Sequence, residues 1–386
     1  MLEKALTGDR RYWSWVAVLL VVIGVGACCY LRQLQTGLGI TGMSRDVSWG
    51  FYIAQFTFLV GVAASAVMVV LPYYLHDVKA FGKLTILGEL LAISAVTMCL
   101  LFIVADLGQP QRMLNIVLHP TPHSILFWDM VVLNGYLILN VVISRATLLA
   151  RRRDEAPPAW VRPVVWLSIL WAISIHTVTA FIYSGLAARP FWLTAILAPR
   201  FLASAFSSGP ALLILLCLIL KRFSRFDPGD EAISKVAVIV TYAMAINVFF
   251  ILMELFTALY SDIPEHLEHF RYLFAGLEGH SRLVPWMWGS IALAVVALAL
   301  LVNPVTRRNP RTLALACVAV FASIWIDKGL GMVVTGFVPN PLGEITEYWP
   351  TLPEVLISLG VYAIGALMVT GFYRIALAER GEVGRP

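Results

Sequence analysis

Charged side chains are scarce in this sequence. Asp, Glu, Lys and Arg make up 13% of the 386 residues, whereas hydrophobic residues make up 60%. Soluble domains usually contain about 25% charged residues, so this chain cannot cover a soluble fold with a solvated surface. The composition therefore predicts an integral membrane protein. We expect membrane lipid and no nucleic acid among its partners, and the net charge of +5 is modest.

Cysteine and histidine are too few and too scattered for the common redox-metal sites. The cysteines all lie in apolar segments without C-x-x-C spacing; they are Cys28, Cys29, Cys99, Cys217 and Cys317. A transmembrane b-type haem needs pairs of histidines within spans, but His176 alone lies well inside one. We therefore expect no haem, no iron–sulfur cluster and no other metal bound by this chain.

The sequence also lacks a segment that resembles a cleavable signal peptide. Its first apolar run, 13–31, is too long for the apolar part of a signal and has no small-residue cleavage pattern after it. A spanning helix needs about 20 mostly apolar residues. Ten segments qualify, at roughly 13–34, 49–74, 84–106, 125–149, 163–185, 200–221, 234–260, 284–302, 311–335 and 353–377. The sequence thus predicts one all-α membrane domain, 1–386, with ten transmembrane helices.

Most of the 28 Lys and Arg residues lie on one side of these spans. They occupy the N-terminal segment, the loops after the even-numbered spans and the C-terminal segment with Arg374, Arg380 and Arg385. Positively charged loops remain in the cytoplasm. Both termini are therefore predicted to be cytoplasmic, in a multi-pass protein of the cytoplasmic (inner) membrane.

Ionisable residues inside the spans concentrate toward the opposite, outer side. At the rise of an α-helix, most lie within about 13 Å of an outer span end; they are Asp106, Asp129, His176, Glu254, Asp327 and Lys328. Glu89 alone lies nearer the cytoplasm. Such residues are costly in hydrocarbon and indicate function, so their common depth predicts a shared polar cavity that opens outward.

Quinol oxidation or quinone reduction would suit such a cavity, because it needs hydrogen bonds to two oxygens and groups that exchange two protons. His176 and Asp129 can provide both, and Glu254 is a second candidate for catalytic proton exchange. Aromatic side chains near the outer span ends either form a slot for the headgroup or belong to the interfacial belt; they are Trp49, Tyr52, Trp128, Tyr183 and Trp192.

A proton-coupled secondary transporter is the alternative. Intramembrane carboxylates would suit proton coupling, with Glu89, Glu254, Asp327 and Lys328 as a proton pathway. Transporters often have helices broken near the midplane, whereas Pro and Gly gather mostly at the span ends here. The residues alone favour the two functions equally.

Several short motifs, in their order and spacing, are similar to those of one family. They are DLGQPQR at 106–112, Asp129 in span 4, His176 in span 5, Glu254 with Leu255 and Tyr260 in span 7, and the stretch Pro339–Glu354, which contains YWPTLPE. On these motifs the chain is identified as a member of the NrfD/PsrC family of quinone-interacting membrane subunits, in its ten-span HybB/DsrP branch. ARPFW at 188–192 and PRFLASAFSSG at 199–209 most resemble the DsrP type.

The resemblance implies two four-helix bundles with peripheral helices, a menaquinone or menaquinol site near the outer face, and no redox metal in this chain. It implies electron exchange with an extracytoplasmic ferredoxin-like iron–sulfur subunit. For the DsrP type it further implies a b-type cytochrome, a haem c protein, a cytoplasmic iron–sulfur subunit and a role in the sulfite or sulfur metabolism of anaerobic respiration.

On this basis we expect His176 and Asp129 to hydrogen-bond the quinone oxygens. Asp106 and Arg112 would form the outer wall of the site; the alternative is that Asp106 only caps its helix end or pairs with Arg112. Tyr52, Trp128 and Tyr183 would border the headgroup.

Overall fold

A computed structural model describes residues 2–379, and these are almost entirely helical. Ten helices are long and apolar enough to cross a membrane; they are α1 (Arg10–Thr36), α2 (Phe51–Leu75), α3 (Thr85–Asp106), α4 (Ile125–Arg152), α5 (Val161–Ser184), α6 (Leu197–Phe223), α7 (Asp230–Ser261), α8 (Val284–Val302), α9 (Pro310–Thr335) and α10 (Leu352–Ala378). Each corresponds to one predicted span. Residues 2–379 contain no β-strand, only an isolated bridge between Leu277 and His280. The chain is therefore an all-α, multi-pass membrane protein.

Short helical segments lie before the first span and between the spans. Four are α-helical: Leu2–Ala5, Asn115–Leu118, Pro264–Phe274 and Pro304–Arg308. Four are 3₁₀ helices: Leu38–Ile40, Lys79–Lys83, Pro110–Arg112 and Pro190–Trp192.

The loops define two faces of the protein. We call the face with loops 37–50, 107–124, 185–196, 262–283 and 336–351 the distal face, and the opposite face, with the N-terminal segment, the proximal face. The sequence predicts that the distal face is extracytoplasmic. Arg380 and Arg385, which contribute to that prediction, lie outside the described residues.

The spans form two four-helix bundles, α2–α5 and α6–α9, which meet where α2 and α5 pack on α6 and α2 packs on α9. Outside them, α1 and α10 pair with each other, and α10 also packs on α3. Where α1 crosses α10, an ideal Cβ on Gly26 would lie 2.8 Å from the Cα of Gly360. Small residues of this kind allow helices to approach closely in a membrane. This is the arrangement that the family resemblance implies.

Two spans depart from the regular α-helices that the sequence predicted. α2 is interrupted at 64–66, where the amides of Ala64 and Ser65 bond carbonyls three residues earlier. α9 contains a π-helical turn, Trp325–Gly331, between two α-helical parts. Gly209 of α6 packs against the interruption in α2, since an ideal Cβ there would lie 2.8 Å from the Ser65 nitrogen. Both irregularities therefore lie where the two bundles meet.

Candidate functional site

One face of α5 carries three buried polar side chains toward α2 and α4. His176, Thr179 and Tyr183 are three and four residues apart, a spacing that places them on one side of a helix. Thr179 Oγ1 donates a hydrogen bond of 2.7 Å to Asp129 Oδ1 of α4. The Tyr183 hydroxyl hydrogen-bonds the Thr57 hydroxyl of α2. The first bundle is thus crossed by two buried polar contacts, both to the distal side of His176.

His176 and Lys328 are buried and have no hydrogen-bond partner among residues 2–379. His176 is 0% exposed, and neither of its ring nitrogens is paired. Lys328 is 3% exposed, and its Nζ lies 4.1 Å from the centre of the Phe201 ring. The Lys328 charge also lies within electrostatic range of His176. An unpaired buried polar group costs about 1–3 kcal/mol, and a charged one more, so two in one cluster need an explanation.

Arg200 of α6 forms a buried ion-pair network with α7 and α9. Its guanidinium pairs with the Glu254 carboxylate and donates hydrogen bonds of 2.8 Å to both carboxylate oxygens of Asp327. The three side chains are 9%, 9% and 10% exposed, in the order Arg200, Glu254 and Asp327. Charge-assisted contacts of this kind are strong and directional. Glu254 and Asp327, both predicted to take part in proton transfer, therefore pair with the same guanidinium. This network links α6, α7 and α9.

Asp327 and Lys328 are adjacent in the π-helical turn of α9, but their side chains contact different helices. Asp327 reaches the ion-pair network of α6 and α7, whereas Lys328 lies beside α2, where an ideal Cβ on Gly61 would be 3.4 Å from its Nζ. Gly329 permits this approach, because an ideal Cβ there would already lie 3.2 Å from the Ala54 carbonyl oxygen. Single π turns inside α-helices are frequent at functional sites.

A layer of aromatic rings covers the cluster on its distal side. Tyr183, two turns beyond His176 on α5, contacts Trp49 and Trp192 with ring centroids 5.5 and 5.0 Å apart. Phe337 packs against Trp192 at 5.1 Å. The sequence predicted a cavity open to the distal face. The structure differs, because these rings fill the space between the distal loops and His176.

Comparison with known sequences assigns these bundles to a family. The sequence profile described as "Polysulphide reductase, NrfD" matches residues 39–335, which include both four-helix bundles. The chain belongs to the NrfD family.

Curated relatives of this NrfD-family chain are similar over nearly their whole length. A putative dimethyl sulfoxide reductase membrane subunit of Halobacterium salinarum is 27% identical, over 96% of this chain and 92% of its own. The Hdr-like menaquinol oxidoreductase integral membrane subunit of Archaeoglobus fulgidus is 23% identical, over 98% and 97%. The menaquinone reductase integral membrane subunit of Nitratidesulfovibrio vulgaris is 22% identical, over 94% and 91%. The likeness therefore extends to α1 and α10 as well as to the bundles.

Two residues of the predicted site lie apart from His176. Arg112 is exposed in a distal 3₁₀ helix, and among the described residues it forms no ion pair with Asp106. Trp128 is 46% exposed, and its indole nitrogen donates to the Pro122 carbonyl at 2.8 Å. Arg112 thus lies in a distal loop and Trp128 is exposed on α4; the predicted roles of Arg112 in the outer wall and of Trp128 beside the headgroup stay predictions.

Tyr52 and Glu89 are buried, and each forms a hydrogen bond with a residue outside the His176 cluster. The Tyr52 hydroxyl donates a hydrogen bond of 2.7 Å to Gln33 Oε1 of α1. Glu89 accepts a hydrogen bond of 3.2 Å from the Ser144 hydroxyl, close to the proximal start of α3. Glu89 and Glu254 therefore lie in opposite halves of the protein, in different bundles.

Glu354 is a fully buried carboxylate whose role the sequence analysis missed. It accepts hydrogen bonds from the Gly42 amide at 2.7 Å, the Thr351 amide at 2.8 Å and the Tyr348 hydroxyl at 2.7 Å. Burial and the nearby Glu354 charge raise the pKa of Tyr348 above its ordinary value, so this hydroxyl stays a donor. The signal was present, because Thr351–Glu354 is a T-x-x-E capping box directly before an apolar run. Through these hydrogen bonds Glu354 links the start of α10 to the distal loops 37–50 and 336–351.

Proposed function

We propose that this chain is the quinone-reactive membrane subunit of a multisubunit oxidoreductase. Membership of the NrfD family supports this, as do two relatives whose names refer to menaquinol and menaquinone. The single structural observation that carries the proposal is the unpaired state of His176 and Lys328 near the Asp129–Thr179 pair. Thr179 lies three residues beyond His176 on α5, so Asp129 contacts the face of α5 that carries His176.

The hydrogen-bonding capacity of these side chains fits a quinone headgroup. The oxidised ring presents two carbonyl acceptors, and the reduced ring presents two hydroxyl donors. A neutral imidazole offers one donor and one acceptor, an ammonium group offers only donors, and a carboxylate offers only acceptors. His176, Lys328 and Asp129 together can therefore pair with either form, and a bound headgroup would supply the partners that His176 and Lys328 lack.

Each residue has a distinct task in this proposal. The bound quinone would supply the two-electron chemistry. His176 and Asp129 take up and return protons at the ring oxygens, and Lys328 donates a hydrogen bond to one oxygen and stabilises negative charge on it. Phe201 lies over Lys328 and contacts Tyr183 at 6.0 Å, so these two rings have to move apart when a ligand reaches His176.

Glu254 is our candidate for a second proton site. Its carboxylate belongs to the Arg200 network, whose other carboxylate, Asp327, directly precedes the unpaired Lys328 in sequence. Glu89, in the proximal half, is the candidate for proton uptake from the other face. Neutralising either carboxylate should lower a membrane-potential signal while leaving quinone binding unchanged. Proton release directly to the distal face would produce no such loss.

We also propose the finer assignment that the motifs favour. The quinone is menaquinone, and the electron partner is an extracytoplasmic ferredoxin-like iron–sulfur subunit. The DsrP-like motifs support a role in sulfite or sulfur metabolism, with a b-type cytochrome, a haem c protein and a cytoplasmic iron–sulfur subunit as further partners. The distribution of Lys and Arg supports a cytoplasmic membrane location with the distal face outward, on the side of the iron–sulfur partner.

Substitution of one histidine tests this function. His176→Ala in the purified complex should lower quinol-linked turnover about 100-fold or more, the usual range for loss of a general acid–base group, with assembly intact. His76→Ala is the matched control, because His76 is exposed at the proximal end of α2. Unchanged turnover in His176→Ala would contradict the assignment. Solute uptake by liposomes that contain only this chain would instead favour the transporter.

A further inference from the structure

Two arginines of α4 lie on the side of the helix that faces the surrounding membrane. The inner side of its proximal half carries the buried Tyr136, Asn140 and Ser144. The exposed residues of this half lie on the opposite side, at the spacing of one helix face; they are Ile138, Val141, Val142, Arg145 and Arg152. Among the charged side chains exposed on the described spans, Arg145 lies farthest from a span end, seven residues before Arg152.

The contact between α4 and α3 gives the depth of Arg145. Ser144, the preceding residue, hydrogen-bonds the Glu89 carboxylate. Glu89 lies four residues inside the proximal start of α3, which corresponds to about 6 Å along the helix axis. Arg145 is therefore about one turn from the level at which α3 enters the membrane.

The contact between α4 and α5 gives a similar depth. Gly135 packs on the Trp171 ring, and an ideal Cβ on Gly135 would lie 2.7 Å from it. Measured from this contact toward the proximal face, Arg145 on α4 and Trp160 before α5 lie about 15 and 17 Å away. Trp160 is 49% exposed, and exposed tryptophans are typical of the membrane–water boundary. The two helix contacts thus place Arg145 at the proximal edge of the hydrocarbon region.

Neither arginine has a counter-charge in the described part of the chain. Arg145 and Arg152 form no ion pair and no side-chain hydrogen bond among residues 2–379. A guanidinium at the edge of the hydrocarbon is costly unless it faces water or an anion. On the lipid-facing side of a span, the anion at this depth is the phosphate group of a phospholipid.

The charge around the two arginines favours a phospholipid with a net negative headgroup. Residues 145–162 contain five arginines and two acidic residues. Of these arginines, Arg153 directly follows α4 and Arg162 lies in the first turn of α5, both exposed. Basic residues near the membrane surface attract anionic lipids. The cationic group of a zwitterionic headgroup would add positive charge to a site that is already positive.

We propose that Arg145 and Arg152 bind the phosphate group of an anionic phospholipid in the proximal leaflet. Its acyl chains lie along Ile138, Val141 and Val142, the apolar part of the same exposed stripe. A guanidinium can form two parallel hydrogen bonds with a phosphate group. The site is separate from the proposed function, because it uses none of the residues around His176.

Lipid titration tests this site. The full-length protein is purified in detergent, delipidated and titrated with phosphatidylglycerol or with phosphatidylcholine of the same acyl chains. Bound lipid is counted by native mass spectrometry. We expect one phosphatidylglycerol to bind about tenfold more tightly than phosphatidylcholine, since more than one arginine contributes. Equal affinities for the two lipids would overturn the proposal.

Two substitutions and one control define the binding groups. Arg145→Gln should lower the affinity for phosphatidylglycerol about fivefold, the loss expected for one arginine near an anionic lipid. Arg145→Lys should lower it less, because the charge remains while the paired hydrogen bonds are lost. Arg308→Gln is the matched control, because it removes the same charge from an exposed proximal position between α8 and α9.

The control should bind phosphatidylglycerol as the unmodified protein does. Equal losses in Arg145→Gln and Arg308→Gln would show that only net charge matters, and unchanged affinity in Arg145→Gln would show that this side chain does not bind the headgroup. Either result would overturn the site. An excess of inorganic phosphate should leave the lipid bound, because it cannot occupy the apolar part of the stripe. Displacement by inorganic phosphate would contradict a lipid site.

Discussion

At the scale of single residues, the charged groups of the second bundle depend on Arg200. The sequence identified Glu254 and Asp327 as intramembrane carboxylates but did not identify the cation that they share. Arg200 lies near the start of α6, and a basic residue at a span boundary is also typical of a loop. The sequence did contain one indication that Arg200 is an intramembrane residue, because an apolar run follows it directly. The pairing itself was not predictable, because it joins three helices that are distant in sequence.

Removal of Arg200 should destabilise the protein strongly. Arg200→Leu leaves two buried carboxylates without a counter-charge, which typically costs about 3–5 kcal/mol. We expect a clear fall in the midpoint of thermal unfolding in detergent. Lys235→Ala is the control, because Lys235 forms an exposed pair with Glu231 at 2.7 Å, and such pairs contribute about 0–1 kcal/mol. Equal midpoints for the two variants would show that the network contributes little.

At the scale of helices, the sequence predicted where the spans lie better than how regular they are. Length and apolarity determine a span, and all ten were predicted from them. The π turn of α9 was not, because apolar residues flank Asp327 and Lys328 on both sides and the hydrophobic pattern does not distinguish π from α geometry. The glycines at 329 and 331, directly after the charged pair, were the only local signal.

The distal helix Pro264–Phe274 packs on the loop before α10 through a buried histidine. His269 Nδ1 lies 2.9 Å from the Val338 carbonyl oxygen, to which it donates. Burial lowers the pKa of His269 below its ordinary value, and the nearby Arg189 and His266 act in the same direction. The folded protein therefore holds His269 neutral at pH values where the unfolded chain would already be protonated.

This lowered pKa predicts a loss of stability in acid. Between the ordinary pKa of histidine, about 6.5, and the lower folded value, the unfolded state binds more protons, so stability falls as pH falls. We expect the thermal midpoint to drop from about pH 7 to about pH 5, and to drop less in His269→Gln. His119→Gln, at an exposed distal position, is the control and should follow the unmodified protein. Identical pH profiles for all three proteins would refute the role of His269.

At the scale of the whole molecule, the all-α fold with two bundles and an outer helix pair was expected, in part from span counting and in part from family resemblance. The common depth of the polar residues was predicted from the helical rise. Their contacts were not, because depth along a helix does not specify which helices touch. His176, Lys328 and the Asp106 Oδ1 atom lack partners among residues 2–379, Asp129 pairs with Thr179, and Glu254 and Asp327 share Arg200.

The orientation of the molecule can be tested with an impermeant maleimide. Glu265→Cys lies in the distal helix and Glu155→Cys in a proximal loop, both at exposed positions. If the basic loops are cytoplasmic, intact cells should label only Glu265→Cys, and permeabilised cells should label both. The unmodified chain measures background labelling of the native cysteines. Labelling of only Glu155→Cys in intact cells would reverse the orientation.

The most direct test of the central claim is a structure of the purified assembly with quinone bound. We predict a headgroup oxygen within hydrogen-bond distance of a His176 ring nitrogen, with Lys328 Nζ paired to the same ligand and the Phe201 ring displaced. A quinone resolved only elsewhere, with His176 and Lys328 still enclosed and unpaired, would contradict the account.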